Sequence, residues 1–288
     1  DTLTVTAAGA ITGGTGDDIH ALTDTLTVEA TRVTGDTNGI YARNAGSGPL
    51  SVTVSVAGDV TGQAGDGISA LNSATGPGSG LLIGQAAGST ATGAVHGIDA
   101  DNAGGALTIN AYGSASGGTG DGIRAVNQAG ATGLTITANN ADGGASGIRA
   151  DNQGSGALRI TATGQVTGSG TGQAFSNAGV DGGIVARNSS ATATDLTIDA
   201  SGQVTGAGRY GIYARNDGTG DLRVTTTGQV TGWVRPDGRR YEAIYAYNQG
   251  RDLTIAATAG YAHGITALNT GSGALRITTA TTSNGRMF

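Results

Sequence analysis

The chain has 288 residues and is rich in glycine, with 55 Gly, 3 Pro, no Cys and a charged fraction of only 12%. The glycines follow no strict Gly-X-Y triplet, which excludes collagen, and the lack of Cys excludes disulfides, thiolate metal sites and thiol nucleophiles. The net charge is −6 and all 15 basic residues are Arg, which argues against nucleic acid and anionic membrane surfaces as partners.

One hexapeptide pattern, Gly-Ile-x-Ala-x-Asn, recurs along the whole chain. Including a degenerate first copy, DIHALT at 18–23, there are ten copies spaced 21 to 36 residues apart. In chain order the others are GIYARN at 39–44, GISALN at 67–72, GIDADN at 97–102, GIRAVN at 122–127, GIRADN at 147–152, GIVARN at 183–188, GIYARN at 211–216, AIYAYN at 243–248 and GITALN at 264–269. Ile, Ala and Asn alternate with other residues, so each copy predicts a short strand with one buried face.

Two further patterns of period two follow the hexapeptides. The first is Leu-x-(Ile/Val), often with Ala two residues later, as at Leu107, Ile109 and Ala111. The second is Gly-x-Val-Thr-Gly, found at 58–62, 164–168, 202–206 and 228–232, with looser versions at 9–13 and 113–117. Turn-forming Gly, Asn, Asp, Ser and Thr separate the patterns, so each repeat predicts a coil of three short strands and three turns.

A coil of this kind cannot bury its apolar face alone, whereas a stack of coils can. Each strand then pairs in parallel with its equivalent one coil away, at a spacing of about 4.8 Å. We therefore predict an all-β fold over residues 1–288, a parallel β-helix of about ten coils forming a single domain. Two stretches interrupt the repeat and are predicted to be loop insertions, residues 169–182 and residues 233–242.

The last residue of nine hexapeptides is Asn, which the alternation places inside the stack. A side-chain amide both donates and accepts hydrogen bonds, so amides at the same corner of successive coils are expected to form a ladder. The predicted members are Asn44, Asn72, Asn102, Asn127, Asn152, Asn188, Asn216, Asn248 and Asn269.

These three repeated units resemble the passenger-domain repeats of bacterial autotransporters, the adhesins and toxins of type V secretion, over essentially the whole chain. The resemblance implies a right-handed β-helix and a segment of a longer passenger. It also implies export through the outer membrane to an extracellular or cell-surface location, with membrane attachment only through a separate C-terminal β-barrel. Because such stalks are often adhesive, the implied partner is a surface protein or glycan of a host or neighbouring cell.

The second insertion, WVRPDGRRYE at 233–242, contains the one Trp of the chain and three Arg. Insertions in repeat proteins often form the binding surface, and Trp with Arg is typical of interaction hot spots. Together with tyrosines of nearby copies, the insertion predicts a binding surface of Trp233, Arg235, Arg239, Arg240, Tyr241, Tyr213, Tyr245 and Tyr247. The alternative is an ordinary loop whose Trp covers the edge of a coil.

The best candidates for an enzymatic site are outward residues of the hexapeptides. Asp99 and Asp101 are predicted to lie one coil from Arg124 and two coils from Arg149 and Asp151, an arrangement that could bind or cleave a sugar chain. The simpler interpretation is a solvated ladder of ion pairs, each worth roughly a few tenths of a kcal/mol. We favour it and predict a non-enzymatic stalk without metal or cofactor. The alternatives are a polysaccharide-binding or polysaccharide-cleaving enzyme and a self-assembling fibre subunit.

The remaining motifs predict little chemistry. GGTGDD at 13–18 matches the start of a calcium-binding nonapeptide only once, so Asp18 and Asp121 are interpreted as turn residues. His96 and His263 share one repeat position but lie about six coils apart, so they cannot share a metal. Residues 1–7 already have a strand pattern and no cap is predicted near Leu275, so we expect a piece of a longer β-helix or end-to-end association of copies.

Overall fold

The structure is a computed structural model, and it describes residues 2–6, 9–12, 15–22, 25–29, 31–55, 58–76, 78–170, 180–234, 238, 240–259, 261–262 and 264–280. Within these ranges the chain consists of strands joined by turns and bends. This part of the chain forms no helix with the length and apolar character needed to cross a membrane.

In chain order, the described strands are β1 (Thr2–Thr6), β2 (Ala10–Thr12), β3 (Ile19–Leu22), β4 (Thr25–Glu29), β5 (Arg32–Gly35), β6 (Ile40–Asn44), β7 (Leu50–Val54), β8 (Asp59–Gly62), β9 (Ile68–Asn72), β10 (Leu81–Gln85), β11 (Thr90–Gly93), β12 (Ile98–Asn102), β13 (Gly105–Gly117), β14 (Ile123–Asn127), β15 (Ala131–Gly143), β16 (Ile148–Asn152), β17 (Leu158–Ala162), β18 (Val166–Gly168), β19 (Gly182–Asn188), β20 (Leu196–Ala200), β21 (Val204–Gly206), β22 (Tyr210–Asn216), β23 (Leu222–Thr226), β24 (Val230–Thr231), β25 (Ile244–Asn248), β26 (Leu253–Ala257), β27 (Tyr261–Ala262), β28 (Ile265–Asn269) and β29 (Leu275–Thr279).

The strands stack as a parallel β-solenoid with two sheets, which confirms the predicted fold class. In the described residues, one sheet has ten strands, β3 to β28, and contains the hexapeptide copies. Equivalent residues of successive copies pair directly, as in the series Ile98, Ile123 and Ile148. The hexapeptide is therefore the rung of the solenoid, met once in each coil.

The second sheet has nineteen described strands and contains both other patterns. The two patterns share one sheet because β13 and β15, each 13 residues long, run continuously through the corner between two faces. An irregularity in register between Ala111 and Ser114 marks that corner. The expectation of three separate strands per coil is therefore wrong for these two coils. The stack amounts to about eight full turns, slightly fewer than the ten coils predicted, although the sheet of rungs has ten described strands.

The core lies inside the stack and is built from the inward residue of each alternating pair. Ile123 and Ala125 of β14 are fully buried, and so is Leu134 of β15, whereas Arg124 and Val126 point outward and are half-buried. Burying one such Ile or Leu contributes about 1.5–3 kcal/mol. Because every coil adds the same layer of aliphatic side chains, stacking is the main source of stability.

Close contact between coils explains why most rungs begin with Gly. A Cβ atom added at Gly122 would lie 2.7 Å from the backbone nitrogen of Asp142 and 2.7 Å from the carbonyl oxygen of Gly147 in the next coil. Both contacts are with backbone atoms, which have little room to move. Glycine at this corner therefore allows the backbones of successive coils to approach each other.

The nine inward asparagines form a continuous hydrogen-bonded ladder through the described part of the stack. Each Nδ2 group except that of Asn269, the last member, donates to the Oδ1 atom of the asparagine in the next coil, over distances of 2.7 to 3.1 Å. Each Nδ2 group also donates to a backbone carbonyl in the loop that follows its own rung, such as Gly48, Gly156 or Gly220. The amides are therefore buried without losing their hydrogen bonds.

The apolar face of the last described coil is less covered than the faces before it. Leu275 is 48% exposed, whereas its pairing partner Leu253 in the preceding coil is fully buried. End-to-end association with a second copy stays a prediction.

Candidate binding surface

The candidate surface is built on the outward face of two neighbouring rungs, β22 and β25. The register pairs Tyr213 with Tyr245, so their side chains leave the sheet one coil apart. The spacing of strands in a sheet, about 4.8 Å, is close to a ring-stacking distance. The two rings stack accordingly, with centroids 5.3 Å apart and planes 2° from parallel.

The described ends of the second insertion lie against the residues that immediately precede the hexapeptide of β22. The backbone N–H of Trp233 donates to the carbonyl of Arg209 at 2.8 Å, and the N–H of Tyr241 donates to the carbonyl of Trp233 at 2.8 Å. An antiparallel bridge joins Val234 and Arg240. These contacts hold the two ends of the insertion together and fix its aromatic residues against the stack.

The aromatic rings form a continuous cluster. Trp233 stacks on Tyr241 with centroids 5.9 Å apart and planes 7° from parallel. Tyr241 meets Tyr210 edge to face at 5.8 Å, and Tyr210 lies 5.3 Å from Tyr245 and 5.6 Å from Tyr213. Pairs of this geometry contribute about 0.5–1.5 kcal/mol each beyond the area they bury.

Two guanidinium groups lie against the cluster. The Cζ atom of Arg187 is 5.4 Å from the ring centroid of Tyr213, and that of Arg209 is 5.5 Å from the centroid of Tyr241. Both distances are within the range of cation–π contacts. We call this set the aromatic–arginine surface; its members are Arg187, Arg209, Tyr210, Tyr213, Trp233, Tyr241 and Tyr245.

The cluster is partly closed to solvent. Tyr213 is only 8% exposed although it points outward from its rung, and its ring is in contact with Tyr210, Tyr245 and the guanidinium of Arg187, while Trp233, Tyr241 and Tyr245 remain half-buried. Burial, and after it the nearby carboxylate of Glu242, raises the pKa of Tyr210. The cluster is therefore packed together and still presents part of its aromatic surface to solvent.

The structure brings together four of the eight predicted site residues, Trp233, Tyr241, Tyr213 and Tyr245. Tyr247 lies two residues further along β25 and pairs instead with Arg215, whose Cζ atom is 5.5 Å from its ring centroid. Arg240 is exposed beside this cluster. The predicted members Arg235 and Arg239 lie outside the described residues.

Three members of the surface are absent from the sequence-based prediction: Arg187, Arg209 and Tyr210. Arg187 pairs in register with Arg215, so its place one coil below the tyrosines follows from the repeat. Arg209 lies in the turn before a rung, and Tyr210 is the first residue of β22. Tyr210 immediately precedes the Gly of its hexapeptide, where the other copies usually have Asp, Asn or a small residue. A Tyr at this position is the feature of the sequence that could have indicated it.

A buried ion-pair network lies at the corner that precedes the rungs, beside the first insertion. Arg149 donates from Nε to the carboxylate of Asp121 at 3.1 Å and from Nη2 to Asp181 at 2.9 Å. It also donates to the hydroxyl of Ser146 at 3.1 Å and to the carbonyl of Val180 at 3.2 Å. Asp121 is only 4% exposed, so its charge depends on this partner.

Replacing Arg149 with Ala should destabilise the chain by about 3 kcal/mol, because it leaves the buried carboxylate of Asp121 without its cation. The matched control is Arg159→Ala, which removes an exposed guanidinium that lies 3.4 Å from Asp199 and should cost less than about 1 kcal/mol. Urea denaturation followed by circular dichroism measures both. Equal losses in the two variants would contradict the assignment of the corner network as a buried one.

The carboxylates considered for catalysis are held by partners in adjacent coils or in their own turns. Asp99 pairs with Arg124 at 2.6 Å, and Asp101 accepts a hydrogen bond from Nε2 of Gln128 at 2.8 Å. Burial, and after it the charge of Asp99, raises the pKa of Asp66, but Asp66 accepts the backbone N–H of His96 at 3.0 Å. These carboxylates therefore form ion pairs and hydrogen bonds with residues of other coils or of the adjacent turn, as in the simpler interpretation of the sequence.

His96 lies at the same corner, and its side chain has a structural role there. Its Nδ1 atom accepts the backbone N–H of Asp121 at 2.8 Å, and Asp121 in turn accepts the N–H of Ser146 at 3.0 Å. Side chains at this position therefore link successive coils by accepting a backbone hydrogen bond from the next one. The other histidine at this repeat position, His263, lies outside the described residues.

Comparisons of the chain with protein-family models, with curated proteins and with solved structures found no match. Function is therefore inferred from the geometry of the chain itself.

Proposed function

We propose that this chain is a non-enzymatic, extracellular adhesive stalk, a β-helical segment of an autotransporter-like bacterial surface protein. In this proposal it binds a surface protein or glycan of a host or neighbouring cell through the aromatic–arginine surface. The observation that carries the proposal is one continuous aromatic cluster flanked by Arg187 and Arg209. In it Trp233 stacks on Tyr241, and Tyr210 connects Tyr241 to the stacked rings of Tyr213 and Tyr245.

The composition of this surface suits recognition of another macromolecule. Trp, Tyr and Arg are the side chains most enriched at binding hot spots, because each provides a large contact area with a polar or charged group. Flat aromatic faces accommodate sugar rings as well as protein side chains. Arg187 and Arg209 add positive charge in a chain whose net charge is −6, which favours a partner with acidic or polar groups at this place.

The solenoid supports the side chains rigidly. Tyr213 and Tyr245 project from strands that are paired on both sides, so their positions follow from the backbone register. The ring contacts then hold the side chains of Trp233 and Tyr241 in the unbound protein. Groups ordered before binding lose less conformational entropy when the partner arrives, which raises affinity.

The carboxylates considered for catalysis are already paired or hydrogen-bonded, which supports a binding role for the chain over a hydrolytic one. Asp99 forms an ion pair with Arg124, and Asp151 accepts the hydroxyl of Ser189 in the next coil. Glycoside cleavage requires one carboxyl group to donate a proton and a second to act as base or nucleophile. Paired and hydrogen-bonded carboxylates are poorly placed for either role.

The test is adhesion of the full chain to bacterial and host cells, compared among Trp233→Ala, Tyr241→Ala and wild type. We expect each variant to bind at least about tenfold more weakly, the loss typical of a hot-spot side chain. The matched control is Tyr41→Ala, because Tyr41 occupies the same place in the first GIYARN copy as Tyr213 does in the second. Folded variants that adhere as well as the wild type would overturn the proposal.

A further inference from the structure

A second surface feature lies on a different face of the solenoid. An open groove of about 530 Å³ crosses the coils of β13, β15 and β18, where the Gly-x-Val-Thr-Gly patterns and their looser versions stack. This volume is within the range of sites that bind small ligands, about 300–1,000 Å³. The polar residues that line the groove and carry the argument are Ser114, Ser116, Asn140, Asp142, Gln165 and Thr167.

The register explains why the groove is polar. Ser114 pairs with Asn140, and Ser116 pairs with Asp142, which pairs in turn with Thr167 of the following coil. All of these side chains alternate with inward residues such as Ala115, which is 1% exposed. The short serines beside longer neighbours leave a depression whose wall consists of hydroxyl, amide and carboxylate groups.

Several of these groups are available to a ligand. Asn140 accepts the backbone N–H of Gln165 through Oδ1 at 2.8 Å, which fixes the orientation of its amide, but its Nδ2 group donates no hydrogen bond within the described residues. Asp142 is exposed, and its carboxylate accepts no hydrogen bond from the described part of the chain. A donor and an acceptor from one coil thus face the groove together.

An exposed aromatic ring stands at the rim. Tyr112 is 52% exposed and lies on β13 two residues before Ser114, and the alternation of burial along β13 puts both on the outward side. Tyr112 lies at the corner of the coil between Ala111 and Ser114, next to the groove and outside its lining. An exposed ring next to hydroxyl, amide and carboxylate groups is the combination that stacks on a sugar ring and hydrogen-bonds its hydroxyl groups.

The charge of the residues that line the groove favours some kinds of sugar over others. Asp142 is the one charged residue among those that line the groove. A carboxylate without a neighbouring cation repels uronic and sialic acids but accepts hydrogen bonds from neutral hydroxyl groups. A single carboxylate also cannot supply the acid and base pair that glycoside cleavage needs.

We infer that the groove binds a neutral oligosaccharide, with one sugar ring stacked on Tyr112 and hydroxyl groups bonded to Ser116, Asn140 and Asp142. This site is independent of the aromatic–arginine surface and adds a second binding activity to the chain. Since strands are about 4.8 Å apart, three coils cover roughly 10 Å, enough for consecutive sugar units.

The experiment is isothermal titration of the full chain with cellotetraose, maltotetraose and laminaritetraose, and with tetragalacturonate as an acidic probe. Two variants test the site: Tyr112→Ala removes the ring, and Ser116→Tyr fills the groove from an outward position. Both should weaken binding of the neutral probe at least tenfold. Asp142→Asn should improve binding of tetragalacturonate relative to the neutral probe, because it removes the carboxylate that repels uronic acids.

Two controls separate this inference from the proposed function. Thr53→Tyr adds the same bulk on another face, where the paired residue in the next coil is Gly84, and should leave binding unchanged. Trp233→Ala should also leave it unchanged. The inference is overturned if the wild type binds no neutral probe at millimolar concentration or prefers tetragalacturonate. It is also overturned if binding is lost in Trp233→Ala while Tyr112→Ala and Ser116→Tyr bind normally.

Discussion

Replacing Ile148 with Asp is expected to abolish folding of the chain. Ile148 is fully buried in β16, in the middle of the stack, and pairs with Ile123 and Ile184 on either side. Removing the aliphatic side chain costs about 2–5 kcal/mol, and a buried carboxylate without a partner adds several kcal/mol more. The sum is comparable to the whole stability of a typical domain, about 5–15 kcal/mol.

The loss should spread beyond the mutated coil, because each coil of a solenoid is stabilised by its interfaces with the coils on either side. The matched control is Thr135→Asp, which places the same carboxylate on an outward position between Thr108 and Arg159. The control should change stability by less than about 0.5 kcal/mol. A soluble Ile148→Asp chain that melts within a few degrees of the wild type would contradict the assignment of the rung core.

Replacing Asn127 with Ala is expected to destabilise the chain by about 3–6 kcal/mol. Asn127 is fully buried, accepts from Asn102 at 2.9 Å and donates to Asn152 at 2.8 Å. The substitution leaves one Nδ2 hydrogen of Asn102 without a partner in the core. It also removes a donor from Oδ1 of Asn152, which keeps the backbone N–H of Gly154 at 3.3 Å. Each such buried loss costs about 1–3 kcal/mol. The carbonyls of Thr132 and Gly133 lose a partner as well.

The end of the ladder provides the control. Asn269 makes one ladder bond, from Asn248 at 3.0 Å, and is partly exposed, so water can replace what Asn269→Ala removes. That variant should lose only about 1 kcal/mol. Denaturant titration of both variants measures the difference, and a loss at Asn127 no larger than that at Asn269 would show that the ladder contributes little to stability.

The rungs could be predicted from the sequence because alternation and register are local and repeated properties. In β12, β14 and β16 the buried positions are the predicted Ile, Ala and Asn, and each strand ends at the predicted Asn and begins one residue after the Gly that opens the hexapeptide. The continuity of β13 and β15 could not be predicted in the same way. It depends on backbone angles at the corner near Ala111, which a pattern of side chains does not determine.

The contacts of long side chains are harder to predict from the sequence than the positions of strands. Arg149 was predicted near Asp99, two coils away on the outward face, yet it turns to the corner and binds Asp121 and Asp181. A guanidinium at the end of a flexible stem reaches several acceptors, and the choice depends on which carboxylate is buried. That information comes from the packing of the turns, not from the spacing of the repeat.

The same distinction applies to the candidate surface. The stacking of Tyr213 and Tyr245 follows from their equal positions in neighbouring rungs, which the sequence makes visible. Arg209 lies in a turn and Tyr210 at the start of β22, and the contact of both with Tyr241 depends on the path of the insertion. The parts of the prediction that concern Arg235 and Arg239 stay predictions.

The central claim, that the aromatic–arginine surface binds the partner, is tested most directly at Trp233, the one Trp in the sequence. The chain labelled with 5-fluorotryptophan gives a single ¹⁹F signal, which can be followed while surface glycans or solubilised surface proteins from adhering cells are added. We predict a saturable change in the chemical shift of Trp233, with the same midpoint as adhesion and absent in Tyr241→Ala. Binding that proceeds to saturation while the chemical shift of Trp233 stays constant would contradict the claim.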